Sequence, residues 1–127
     1  MLPQLDAEYL KRFAGHSTVA EAGMTCVVIP NFPIPAGMSC ASSDLLIRLA
    51  SGYPDIAPDM WWFQPAVRRV DGLEIPATQH SESHLGRQWQ RWSRHFAQGQ
   101  WKSGIDSLES YLALVRVELE KAAAKRA

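Results

Sequence analysis

The chain has 127 residues, 46% of them hydrophobic and 20% charged, with 13 basic and 13 acidic side chains in balance. That length suits one domain with a real core, and a net charge of zero excludes a global field for nucleic acid or an anionic membrane. Two cysteines, Cys26 and Cys40, are too few for a disulfide framework and read as small thiols in a reducing compartment.

No apolar run reaches membrane-spanning length, and no basic-then-apolar leader opens the sequence. The expectation is a cytoplasmic protein, with residues 1–127 forming a single domain. Residues 4–13 put Leu5, Tyr9 and Phe13 at spacings of four, with Leu10 alongside, which predicts a short amphipathic helix ended by Gly15. Met24–Pro30 is a β-branched apolar run and reads as a strand. The prolines between 30 and 35 then predict extended, turn-rich chain. Met38–Ser43 suits a short strand, and Asp44–Ala50 a further one by its alternation.

Ser51–Asp59 is a proline-bracketed turn, and Met60–Phe63 (MWWF) a compact strand of large side chains. Gln64–His84 reads as a long irregular segment, with a hairpin suited at Asp71-Gly72. Gly86–Trp101 holds three of the five tryptophans along with Arg87, Arg91, Arg94, Ser93 and His95, too polar a mixture for a core strand. Ser103-Gly-Ile-Asp106 resembles a capping box. Leu108, Leu112, Val115 and Leu119, with Tyr111 beside them, predict an amphipathic helix to about Ala123, its negative end suited by Lys121, Lys125 and Arg126. Strands segregated from helices give an α+β fold, with a helix packed on an antiparallel sheet.

Several chemistries compete for the aromatic stretch. His80, His84 and His95, with Glu82 nearby, share one region, but the segment lacks a ligand-bearing helical pattern and the cysteines are distant, so no metal is expected. The sequence has no glycine-rich phosphate loop, and no cofactor is expected. Interleaved Arg and Trp suit stacked single strands, yet the zero net charge argues against nucleic acid, and arginines stacked on tryptophans in a structural seam fit as well. Ser93 becomes a nucleophile only with a base to take its proton. His95 lies two residues on, a spacing that converges only in a loop or tight turn. By residue chemistry alone, a cap or loop hydroxyl is the more ordinary role for Ser93.

The order of elements and two motifs resemble the ubiquitin-conjugating (UBC) fold, over roughly residues 5–123. Tyr53-Pro54-Asp55-Ile56-Ala57-Pro58 resembles that family's Tyr-Pro turn, with Ala57 at one proline position. Trp101, ahead of a helix, matches the tryptophan eight residues after the family's catalytic cysteine, and that count lands on Ser93. The stretch G-R-x-W-Q-R-W-S-R-H, followed by G-I-D-x-L-x-S-Y-L-A-L-V, is similar to the prokaryotic family-E branch. The resemblance implies an N-terminal helix, a four-stranded antiparallel meander, an active-site loop and a C-terminal amphipathic helix. It implies an acyl transferase that receives a ubiquitin-like protein from an adenylating activating enzyme and passes it to a lysine of a target protein. Ser93 would carry the acyl group as an oxyester. His95, or secondarily His84, would act as base, and Arg94 would stabilise the oxyanion. Binding of modifier or activator would fall to Trp89, Arg91, Trp92, Tyr53 and Pro54, with Trp61 and Trp62 as further docking aromatics. The family's His-Pro-Asn motif is missing, with His84-Leu85-Gly86 near its place, so the alternative is an inactive adaptor of the same fold.

Overall fold

The computed structural model describes residues 2–124. Helix α1 spans Gln4–Leu10. Strands β1 (Ser17–Glu21), β2 (Met24–Pro33), β3 (Ser42–Leu49), β4 (Trp61–Gln64), β5 (Ser81–His84) and β6 (Arg87–Trp92) follow, and helix α2 spans Leu108–Ala123. The fold is α+β. The strands form one antiparallel sheet in the order β1-β2-β3-β4-β6-β5. The sheet has six strands rather than the expected four: Ser17–Glu21 adds an edge strand, Met38–Ser43 gives no strand of its own, and a further hairpin adds β5 and β6. That hairpin folds back so that β6 pairs with β4 and β5 takes the edge.

Two hairpins turn on residue pairs with positive φ, Ala22-Gly23 and Leu85-Gly86. Both close two-residue loops, between Glu21 and Met24 and between His84 and Arg87, the mirror-image turn that matches strand twist. The proposed hairpin at Asp71-Gly72 does not form. Asp71 instead accepts from Arg69 and from the Leu73 N–H, while Arg69 bridges to Met38.

Prolines do not end β2 where expected. Pro30 lies within a register shift between Ile29 and Phe32, where Asn31 has φ 55 and donates its N–H to Asp44. A bulge absorbs the residue that lacks an N–H, and the strand resumes. The aromatic stretch also departs from expectation: Arg87–Trp92 is a strand, with Trp89 and Trp92 fully buried. Its polar residues tolerate this because they pair with the neighbouring strands and with the loop beside them.

One sheet face, with Val27, Ile29, Leu45, Ile47, Trp61, Phe63 and Trp92, packs on Leu108, Tyr111, Leu112, Val115 and Leu119 of α2. Each fully buried side chain of this size stabilises the fold by roughly 1.5–3 kcal/mol. Cys26, Val28, Leu46, Trp62 and Trp89 form a smaller cluster on the opposite face. In α1 the buried residues are Asp6 and Leu10, whereas Leu5 is 82% exposed. The helix is rotated from the predicted stripe because Asp6 has two partners inside. It accepts from Tyr53 Oη at 2.7 Å and from the Leu108 N–H at 3.0 Å, one of the orphan donors at the start of α2.

Ser107, not Ser103, caps α2, and its N–H donates to Ser110 Oγ at 2.9 Å. Asp106 instead closes the preceding turn by accepting from the Lys102 N–H. At the other end Arg69 Nη1 donates to the carbonyls of Ala122 and Ala124. This loop arginine meets the helix's negative end. Lys121 pairs with Glu118, and Lys125 and Arg126 lie outside the described residues. No helix among the described residues is long and apolar enough to cross a membrane.

Candidate active site around Ser93

Strand β6 delivers Ser93 to the point where the sheet ends. The Ser93 N–H donates to the Ala77 carbonyl at 3.0 Å, and the next carbonyl, of Arg94, accepts from the Met60 N–H at 3.2 Å. Met60 itself has φ 65, and its carbonyl accepts from Tyr111 Oη at 2.8 Å. The irregular chain after Trp92 is thus pinned between the loop before β5 and the entry to β4.

Beneath it, the buried Gln90 amide organises that loop. Its Nε2 donates to the carbonyls of Val67 and Thr78, and its Oε1 accepts from the Val67 N–H and from Trp92 Nε1. A side-chain amide three residues ahead of Ser93 supports the neighbouring loop, in a chain that lacks the asparagine motif.

Ser93 Oγ accepts from Arg91 Nε at 3.1 Å. Arg91 Nη1 donates to Glu82 Oε2 at 2.7 Å on the adjacent strand. Glu82 Oε1 also accepts from Trp62 Nε1 at 2.9 Å and lies 3.2 Å from His84 Nε2. Burial pushes the Glu82 carboxyl up, but the bonds from Trp62 and His84 and the Arg91 charge outweigh it and hold the group below its ordinary value.

His95 Nδ1 lies 2.6 Å from Asp59 Oδ1. A carboxylate can only accept, so this contact keeps the proton on Nδ1 and leaves Nε2 as the basic nitrogen. Among the described residues Ser93 Oγ bonds to Arg91 and to no histidine. Both Ser93 and His95 do lie in irregular chain, the one setting in which their spacing permits convergence.

The other predicted residues take different places. His84 pairs with Arg87 at the far end of β6, roughly 20 Å of strand from Ser93, and contacts Glu82, Glu21 and the edge of Trp62. It makes no hydrogen bond to the serine and connects to it only through Glu82 and Arg91. Arg94 is occupied: Nε donates to Glu118 at 2.9 Å, Nη1 to the carbonyls of Pro76 and Ser93, and the guanidinium lies over Trp92. It clamps the segment to α2 rather than facing the serine hydroxyl.

Trp61, Trp62, Trp89 and Trp92 are at most 3% exposed and offer no docking face. Arg87 stacks over Trp89 at 4.4 Å, so the Arg-Trp alternation is a structural seam. Among the described residues no group of three His, Cys, Asp or Glu side chains is placed to share a metal ion.

The Tyr53–Pro54 turn, with its cis peptide bond, joins the post-serine segment directly. Trp101 Nε1 donates to the Pro54 carbonyl at 2.9 Å, and the Trp101 ring contacts Tyr53, Phe96 and Tyr111. The two motifs that carried the resemblance are therefore in contact.

Residues 2–122 match the family model described as prokaryotic E2 family E. The chain belongs to that family. No curated protein and no solved structure gives a match. Membership of prokaryotic E2 family E supports a role in conjugation, with a ubiquitin-like protein and a target as partners.

Asp59 and Gln90 are the site residues that the sequence reading of this E2-like chain missed. Asp59 follows two prolines of the turn without any pattern of its own. Gln90 stands among polar residues that gave no sign of burial.

Proposed function

We propose that this prokaryotic E2-like protein accepts the C-terminal acyl group of a ubiquitin-like protein on Ser93 as an oxyester and passes it to a lysine amine. The donor in this reading is an adenylating activating enzyme. The observation that carries it is the held hydroxyl: Ser93 Oγ accepts from Arg91 at the end of β6. His95, its tautomer set by Asp59, lies two residues on.

In loading, Oγ attacks the activated carbonyl carbon. The Oγ–C bond forms, the bond to the activator's leaving group breaks, and that group departs with its electron pair. The Oγ proton passes to His95 Nε2, and the imidazolium that results is stabilised by Asp59. His95 is the base in this reading, since His84 lies at the far end of the strand. Closing the step requires His95 to swing toward Ser93 when the carrier loads.

A second reading has one specific observation in its favour. Ser93 meets no histidine among the described residues, which suits an adaptor that binds the modifier or the activator without carrying it. Incubation with the activating enzyme, its ubiquitin-like protein and ATP separates the two. The carrier reading expects an adduct that resists reducing agent, yields to hydroxylamine and is absent from Ser93→Ala. An adduct that persists in Ser93→Ala refutes the assignment, and no adduct in any form supports the adaptor.

A further inference from the structure

Resting on Ser93 as the acyl carrier, we infer that Arg91 is a catalytic residue in both loading and transfer, and that Glu82 is its positioning residue. Arg91 Nε donates to the oxygen that makes and later breaks the acyl bond, at 3.1 Å. Arg91 is the penultimate residue of β6 and Ser93 the first residue beyond it, and the hydrogen bond itself places the guanidinium beside the serine hydroxyl. Glu82 pairs with Trp89 on the neighbouring strand, which sets its carboxylate beside the Arg91 guanidinium at 2.7 Å.

The guanidinium is held by a fixed partner. Glu82 is itself anchored by Trp62 Nε1, from a side chain that is 3% exposed, and by His84. The Arg91 side chain is 24% exposed and that of Glu82 32%, so solvent screens their ion pair only in part. A cationic donor aimed at an oxygen by a pre-arranged carboxylate needs no reorganisation when charge develops there.

The two half-reactions both use this donor. In loading, negative charge builds on Oγ as its proton leaves, and the Arg91 N–H lowers that cost. In transfer, the amine nitrogen attacks the ester carbon, the N–C bond forms and the C–Oγ bond breaks. The electron pair returns to Oγ, which then takes up a proton that originates on the amine. A serine alkoxide is a much poorer leaving group than a thiolate. A fixed cation on the leaving oxygen supplies what an oxyester carrier needs and a thioester carrier does not. Lysine is no substitute, because its compact ammonium lacks the fork that reaches Glu82 and Ser93 together.

The test uses p-nitrophenyl acetate as the acyl donor, hydroxylamine as the acceptor, and peptide mass mapping to follow acetyl-Ser93 in the full chain. Wild type acetylates at Ser93. Arg91→Ala loads, and loses its acetyl group to hydroxylamine, each about 10²-fold more slowly. Guanidinium ion at a non-denaturing concentration restores part of both rates in Arg91→Ala. Arg91→Lys stays slow, and Glu82→Gln is slowed while Glu82→Asp recovers part of the loss, a rescue that a purely structural role would not give. Wild-type rates in Arg91→Ala, with acetate still on Ser93, overturn the Arg91 assignment alone. If Arg91→Ala does not fold, wild-type rates in Arg91→Lys and Glu82→Gln overturn it equally. No acetyl group on Ser93 in wild type overturns the serine carrier, and the Arg91 role falls with it.

Discussion

His95 and Asp59 meet at 2.6 Å although 36 positions separate them in sequence, and the contact crosses from the post-serine segment to the entry of β4. It assigns the Nδ1 proton to the carboxylate side and leaves Nε2 for proton transfer. Asp59→Asn retains the shape but lets an amide N–H face Nδ1, which favours the opposite tautomer. Loading of Ser93 should fall about 10²-fold or more, with the unfolding midpoint little changed because both side chains are more than half exposed. Nitrogen NMR of labelled histidine checks the cause: protonated Nδ1 in wild type, and a shift toward protonated Nε2 in the variant.

Gln90 joins four groups at once, the Val67 N–H and carbonyl, the Thr78 carbonyl and Trp92 Nε1. Gln90→Leu leaves them buried without partners. A loss of about 3 kcal/mol is expected, since each unsatisfied buried group costs roughly 1–3 kcal/mol. Urea unfolding should show a lower midpoint at unchanged slope, and limited proteolysis should cut earlier between residues 65 and 80.

The buried Tyr111 and the half-buried Tyr53 make the fold sensitive to alkali. Burial raises the Tyr53 hydroxyl pKa, and the bond to Asp6 and its charge raise it further. Burial, then the Asp59 charge, raises that of Tyr111. The folded state therefore holds these protons longer than the unfolded chain, which releases them near pH 10. Their contribution is fully present below that value and is lost as pH rises above it. Stability should fall through this range in wild type and fall less steeply in Tyr53→Phe, measured by urea midpoints on a pH series. Absorbance at the phenolate band should show Tyr53 and Tyr111 ionising only as the chain unfolds.

The sequence made some of this legible and hid the rest for identifiable reasons. The spacing of Leu108, Leu112, Val115 and Leu119 outlined α2, because a one-sided helix must repeat its apolar residues at that period. The runs Met24–Pro30 and Asp44–Ala50 marked β2 and β3. Strand β6 was hidden because its polar residues are satisfied by the loop and by β5, a tertiary effect that composition does not record. The hairpins at Ala22-Gly23 and Leu85-Gly86 lack the Asn-Gly or Asp-Gly pair that signals such turns, while Asp71-Gly72 carries the signal without the hairpin. Ser93 was reached by its distance from Trp101. Asp59 was out of reach, since its partner His95 lies 36 positions away, and so was Glu82 as the anchor of Arg91, because only the pairing of β5 with β6 brings the two together.

The measurement that bears most directly on the Ser93 carrier is the lability of its acyl bond after the nucleophilic atom is exchanged. Wild type and Ser93→Cys are loaded by the activating enzyme with its ubiquitin-like protein, then treated with dithiothreitol or hydroxylamine. The wild-type adduct should be cleaved by hydroxylamine alone and the Ser93→Cys adduct by dithiothreitol as well. A wild-type adduct that dithiothreitol cleaves, or a Ser93→Cys adduct that resists it, contradicts the assignment of Ser93 Oγ as the carrier atom.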